Sequence, residues 1–357
     1  MLRHWIWLAA AMLSGCASPG YYLQAIGGQI EILRASRPID EAIADPSLSP
    51  ATRQRLETAS RMRDFASREL GLPDNRSYRK YADLHRPYVT WNVFAAKPLS
   101  VEPKRWCFPV AGCVSYRGYF SEAEARKFAA GLRAEDYDVF VAGIPAYSTL
   151  GWFSDPLLNT FIHYPDSELA RIIFHELAHQ VVYVSGDTAF NESFAVTVEE
   201  AGVHRWIDAY GTPAEREEFD RREQHRRDFE ALVTGARSRL DAIYQSHQPD
   251  AAKLAEKKIA LEQLQADYRI IRDRRWGGYK GYDRWFAIGI NNATLASIGL
   301  YLQDVPAFQS LLAENGGDLP RFYAAVRKLA DLPRAERKDR LSEAMAQALL
   351  KEEPGAR

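Results

Sequence analysis

The sequence has no surplus of charge of either sign: 46 Lys+Arg stand against 47 Asp+Glu in 357 residues, a formal net charge of -1. Without a basic excess the phosphate backbone is not the natural partner, so no nucleic-acid binding is expected. After the first line, no run approaches the roughly 18 apolar residues that a membrane-spanning helix needs. There is no internal repeat and no low-complexity tract, which sets aside solenoids and disordered tails. Cysteine is scarce, with three in the chain, too few for a four-thiolate metal site. What is present is 46% hydrophobic and 12% aromatic, enough to bury the core of one large domain or two ordinary ones.

The first residues carry an address. Arg3 and His4 precede an apolar run from Trp5 to Leu13 that is too short for a permanent span and reads as a secretory leader. Leu13-Ser14-Gly15-Cys16 resembles the bacterial lipobox, in which cleavage falls before a cysteine that is then acylated. The resemblance implies a signal peptide over 1–15 and a lipid-anchored tether over 16–20. It places the chain in the bacterial cell envelope facing the periplasm. Ala17 is not the aspartate that signals inner-membrane retention in enteric bacteria, so the outer membrane is favoured. The other two cysteines, Cys107 and Cys113, are close enough to close a small loop across Pro109 and Gly112. In an oxidising compartment they are expected to form a disulfide.

Apolar residues at helical spacing predict helices over 21–34 and 49–70, the latter stopped by Gly71 and Pro73. Residues 88–95 and 137–143 read as strands, separated by a helix that a Ser121–Glu124 capping box starts. A helix capped by Asp166 or Ser167 should run to about Val184, and another from about Ala189 to Tyr210. Residues 213–275 are highly charged, with sparse apolar positions on either side of Gln248-Pro249-Asp250. They read as an inserted antiparallel helical hairpin projecting as an arm, a possible surface for a protein partner. The expected fold class is mainly α (α+β), a small sheet ahead of the 167–184 helix, with 21–212 and 276–357 forming one domain.

That helix carries His175-Glu176-Leu177-Ala178-His179. Histidines at i and i+4 stand one turn apart on one face and can both present a ring nitrogen to one zinc ion, with Glu176 beside them as general base. A catalytic zinc takes a third protein ligand. Glu192 and Glu199, seven apart on one face of the next helix, supply the candidates. A tight turn brings Glu192 level with His179, and Glu199 near His175, where it can hold a ligand imidazole from behind. One Zn2+ per chain is the expected cofactor. Tyr147, Tyr183 and Tyr282 are candidate oxyanion donors by residue type alone; His163, His204 and His225 lack partner spacing.

H-E-x-x-H completed by a glutamate on the next helix resembles the gluzincin metallopeptidases. Asn191-Glu192-Ser193-Phe194-Ala195 with Glu199 is similar to the N-E-G-F-A segment of zinc aminopeptidases related to membrane alanyl aminopeptidase. The resemblance implies that Glu192 is the third ligand and Glu199 the outer carboxylate. The interval from His179 to Glu192 is shorter than in those enzymes, and no G-x-M-E-N segment precedes the motif. More widely, through Tyr21–Ala25, Cys107–Phe120, Ala146–Phe153 and Asn291-Asn292-Ala293, the chain is similar to bacterial lipoproteins described as predicted aminopeptidases. This implies a zincin-like core and a peptide substrate. A non-catalytic envelope scaffold, and a zinc amidase acting on cell-wall material, are the alternatives.

Overall fold

The computed structural model describes residues 19–108, 112–146, 148–302 and 304–352. The leader, Cys16 and Tyr147 lie outside them. The fold is mainly α, with sheets of two or three strands, and no described helix is long and apolar enough to cross a membrane.

Helix α1 (Pro19–Ala35) leads by way of β1 (Arg37–Pro38) and α2 (Ile39–Ala44) to α3 (Pro50–Arg68). Ser49 caps α3 by accepting from Thr52 N at 3.1 Å, and Pro50 occupies the first turn, where a missing N–H costs nothing. Leu56, Ala59, Met62, Phe65 and Ala66 form its buried stripe. Strand β2 (Lys80–Ala82) pairs antiparallel with β1 and parallel with β8 (Leu157–Leu158). The second sheet is antiparallel in the order β6–β3–β7, formed by β3 (Thr90–Ala96), β6 (Arg117–Tyr119) and β7 (Asp138–Ile144). Its central strand β3 is buried at every position. Between β3 and β6 lies a two-stranded ribbon of β4 (Trp106–Phe108) and β5 (Gly112–Val114), whose facing residues Cys107 and Cys113 are joined by a disulfide. Helix α4 (Glu122–Ala134), capped by Ser121, covers the sheet with Ala125, Ala129 and Leu132.

The next two helices are the centre of the molecule. Helix α5 (Asp166–Ala178) is fully buried along Leu169, Ala170, Ile173, Phe174 and Leu177, and α6 (Thr188–Tyr210) returns beside it, burying Phe190, Phe194 and Val198. Two expectations change here. No side chain caps α5: it starts after Pro165, and Asp166, in its first turn, ion-pairs with Arg55. The helix also ends at Ala178 rather than near Val184. The β-branched Val181, Val182 and Val184 favour helix poorly, and Val184 is held by a partner outside the helix, described below.

Helices α7 (Pro213–Gln245) and α8 (Asp250–Arg274) form the hairpin, α7 opening on a reciprocal Thr212–Glu215 capping box. It does not project as an arm. Phe229, Val233, Leu240, Leu264 and Tyr268 share one apolar cluster with Val101, Phe286, Ile290 and Leu295, so the few apolar positions of the hairpin are covered by the body. Lys257 Nζ reaches Asp138 at 2.5 Å and Pro98 O at 2.9 Å. The remaining helices are α9 (Asp283–Ala287), α10 (Asn292–Leu302), α11 (Val305–Glu314), α12 (Leu319–Ala330) and α13 (Arg334–Glu352). Asn292 knots hairpin to sheet: its Nδ2 donates to Lys97 O and Pro98 O, and its Oδ1 accepts from Tyr244 Oη at 2.8 Å.

Candidate metal centre

His175 lies in the last turn of α5 and His179 is the residue that ends it, so their rings meet near the open end of the helix. His175 Nε2 and His179 Nε2 are 3.1 Å apart, and Glu192 Oε2 lies 3.2 Å from the first and 3.7 Å from the second. Among the described residues these three form the one cluster able to hold a metal ion. Glu192 thus stands level with both histidines.

The donor set fits zinc on geometry and chemistry. Glu199 Oε2 lies 2.7 Å from His175 Nδ1, so that nitrogen carries a proton and Nε2 is the one that faces Glu192 and His179. Nε2 of each histidine and the Glu192 carboxylate then turn electron pairs toward one point, an arrangement that needs a shared cation or proton. Ligand atoms at 2.0–2.2 Å from a tetrahedral zinc stand about 3.4 Å from one another, close to the three separations observed. Burial alone would depress the His175 imidazole, but the hydrogen bonds to Glu192 and Glu199 outweigh it and hold its pKa well above the ordinary value. Burial acts the other way on Glu192, and there His179 and His175 win, keeping the carboxyl well below its usual range.

Glu199 is itself held. Its Oε1 accepts from Arg171 Nη1 at 2.8 Å, and Arg171 Nη2 donates to Glu223 Oε1 at 2.5 Å. Arg226 closes the chain, donating to Glu223 Oε2 at 2.7 Å and Glu200 Oε1 at 2.6 Å. A charge-assisted relay therefore runs from His175 on α5, through α6, to the hairpin helix α7. Arg171 stands four residues before His175, on the ligand face; that spacing was a signal the sequence offered.

The short interval from His179 to Glu192 is accommodated by Asn191, which is buried. Its Oδ1 accepts from Val184 N at 2.7 Å and its Nδ2 donates to Val184 O at 2.8 Å, pinning the connecting loop to the first turn of α6. On the far side, the disulfide ribbon bears on the same turn. Gly112 has φ +73°, and a Cβ there would lie 2.6 Å from Ser185 Oγ. Arg105 Nη2 joins Cys113 O at 3.0 Å to Gly186 O at 2.7 Å.

The cluster opens into a cavity of about 350 Å³ lined by His175, Glu176, His179 and Glu192, with Tyr116 and Tyr183 on its wall. Burial pushes the Glu176 carboxyl up, against the two histidines, toward the range useful to a general base. Burial and the nearby Glu192 keep both tyrosine hydroxyls protonated, hence donors. Tyr116 was not singled out from sequence; a lone tyrosine between two short strands carries no spacing signal. Tyr282 is corrected: its ring stacks on Phe229 at 4.1 Å within the hairpin cluster, apart from the cavity. His204 and His225 pack against Phe219 and Tyr279.

Asp155 anchors the cavity loop, accepting from Thr149 N at 2.9 Å and Thr149 Oγ1 at 2.7 Å. Burial outweighs these bonds and raises its pKa from 3.8 to about 6. The folded chain then binds more protons than the unfolded one between those values, so this group's contribution falls as pH rises through that window, by about 3 kcal/mol in all. Asp155→Asn, which cannot ionise, is expected to gain about that much on the parent between pH 4 and pH 7 in paired denaturant titrations. A pH-independent difference refutes it.

Two histidines on one helix, answered by a glutamate from the returning helix at the wall of a cavity, define a candidate hydrolytic centre. The chain belongs to the family described as "Putative aminopeptidase", which it matches over residues 20–341. That membership supports a peptidase, hence a hydrolase. No curated protein and no solved structure matches the chain.

Proposed function

We propose that the chain is a zinc metallopeptidase of the gluzincin type, an aminopeptidase with a zincin-like core, held by a lipid on Cys16 at the periplasmic face of the bacterial envelope. The observation that carries the reading is the convergence of His175 Nε2, His179 Nε2 and Glu192 Oε2 beside Glu176 in one cavity. The disulfide supports an oxidising compartment. The outer membrane and a partner for the exposed face of the hairpin belong to the same reading.

His175, His179 and Glu192 would hold the ion, whose chemistry when bound would be that of a Lewis acid toward the scissile carbonyl and water. Glu199 and Arg171 keep the His175 ring turned so that Nε2 faces inward. Glu176 accepts the proton of the attacking water and returns it to the leaving amine. Tyr116 or Tyr183 donates a hydrogen bond to the developing oxyanion. The apolar wall around Glu176 keeps its carboxylate poorly solvated and basic.

Metal removal tests the proposal. Release of the N-terminal residue from a mixed peptide set should disappear after dialysis against chelator and return with one equivalent of zinc. Turnover that survives chelation, or none with zinc restored, overturns it.

A further inference from the structure

Helix α1 packs one face on the body through Tyr21, Gln24, Ala25, Gly28 and Ile32, and Gly28 is required there because a Cβ would collide with the Phe120 ring at 2.0 Å. Its opposite face is apolar as well. Leu23 is 69% exposed, Ile26 58%, Ile30 40% and Leu33 39%. Their spacing of three, four and three residues is a continuous stripe. A solvated helix face is normally polar; this one needs a cover.

The geometry points to the bilayer surface as that cover, with α1 lying in the interface. The inference rests on the proposed anchor, and chain length makes the choice: Cys16 lies three residues before Pro19, a reach of at most about 11 Å. The tether therefore keeps the first turn of α1 at the headgroups, and the apolar stripe along its length is what lays the rest of the helix down on them. A second feature agrees. Trp152, 76% exposed, and Phe153, 46%, sit on the loop following Leu150. Leu150 lines the metal cavity together with Tyr21 and Ala25 of α1, and Gln29 of α1 lines a smaller one with Asp155 and Pro156. The loop therefore adjoins α1. An exposed aliphatic stripe on α1 and an exposed tryptophan on a loop that adjoins the helix are the composition of an interfacial seat. Arg34, at the end of the helix, can extend its guanidinium to the headgroups. The seat holds the cavity, which Tyr21 and Ala25 of α1 line, beside the membrane.

The test uses the full chain in vesicles of phosphatidylethanolamine and phosphatidylglycerol. Single cysteines at Leu23, Ile26, Ile30 and Trp152, with Lys258 on the hairpin as control, carry nitroxide labels, the native pair being closed as a disulfide. Collisional access to oxygen and to a water-soluble nickel chelate is then compared. The four labels should lose nickel access several-fold and gain oxygen access, while the Lys258 label keeps nickel access. Uniform nickel access overturns the proposal. So does spin–spin broadening at Ile26 and Ile30 that disappears on dilution with unlabelled chain, since a second copy then covers the stripe. Labelling of the parent chain would reveal an unacylated Cys16, so failure of the anchor is read apart from failure of the seat.

Discussion

Glu176→Gln should keep one zinc per chain and lose at least about a hundredfold in kcat, the range that a positioned general base supplies. The substitution preserves shape and removes the one cavity carboxylate outside the three-donor cluster. KM should move little, because the proton is transferred in the transition state rather than on binding. Metal analysis beside steady-state kinetics checks both halves. Full activity in the variant would assign the base elsewhere; an inactive parent that binds zinc would favour the scaffold reading.

Glu192→Ala should empty the site. Two imidazoles alone lack the third donor and the negative charge that offset the cost of desolvating the cation, so the variant is expected to contain well under a tenth of the parent's zinc at equal protein. Glu199→Ala leaves the three donors in place and removes the hydrogen bond to His175 Nδ1 together with the acceptor of Arg171 Nη1. Its zinc affinity should fall by about 10- to 100-fold, the usual consequence of losing such a partner. Equal zinc in the parent and both variants would refute the ligand assignment. Chelator competition monitored at several concentrations separates the two losses.

The paired histidines were legible because an amphipathic helix leaves residues at i and i+4 no choice of face. Glu192 and Glu199 followed from the same periodicity. The end of α5 was not legible, since Asn191 sets it from the next helix by seizing both polar groups of Val184. Tyr116 and Tyr282 show the other limit: residue type does not say whether a phenol borders a cavity or stacks on Phe229. The hairpin was visible as two helices, but its apolar positions were too sparse to reveal that Val101, Ile290 and Leu295 complete the cluster.

The bond between Cys107 and Cys113 spans a sequence separation of only 6. So short a loop restricts the unfolded ensemble by about 2 kcal/mol, much less than a long-range crosslink. Its worth is local: the ribbon presses on Ser185 and Gly186, one short step from the start of α6, and Glu192 follows within two turns. A chain whose thiols are reduced keeps His175, His179 and Glu192 but loses the stiff brace that registers them. The geometry of the cluster is thereby coupled to the oxidation state of Cys107 and Cys113. Reduction should accordingly weaken zinc retention more than it lowers Tm.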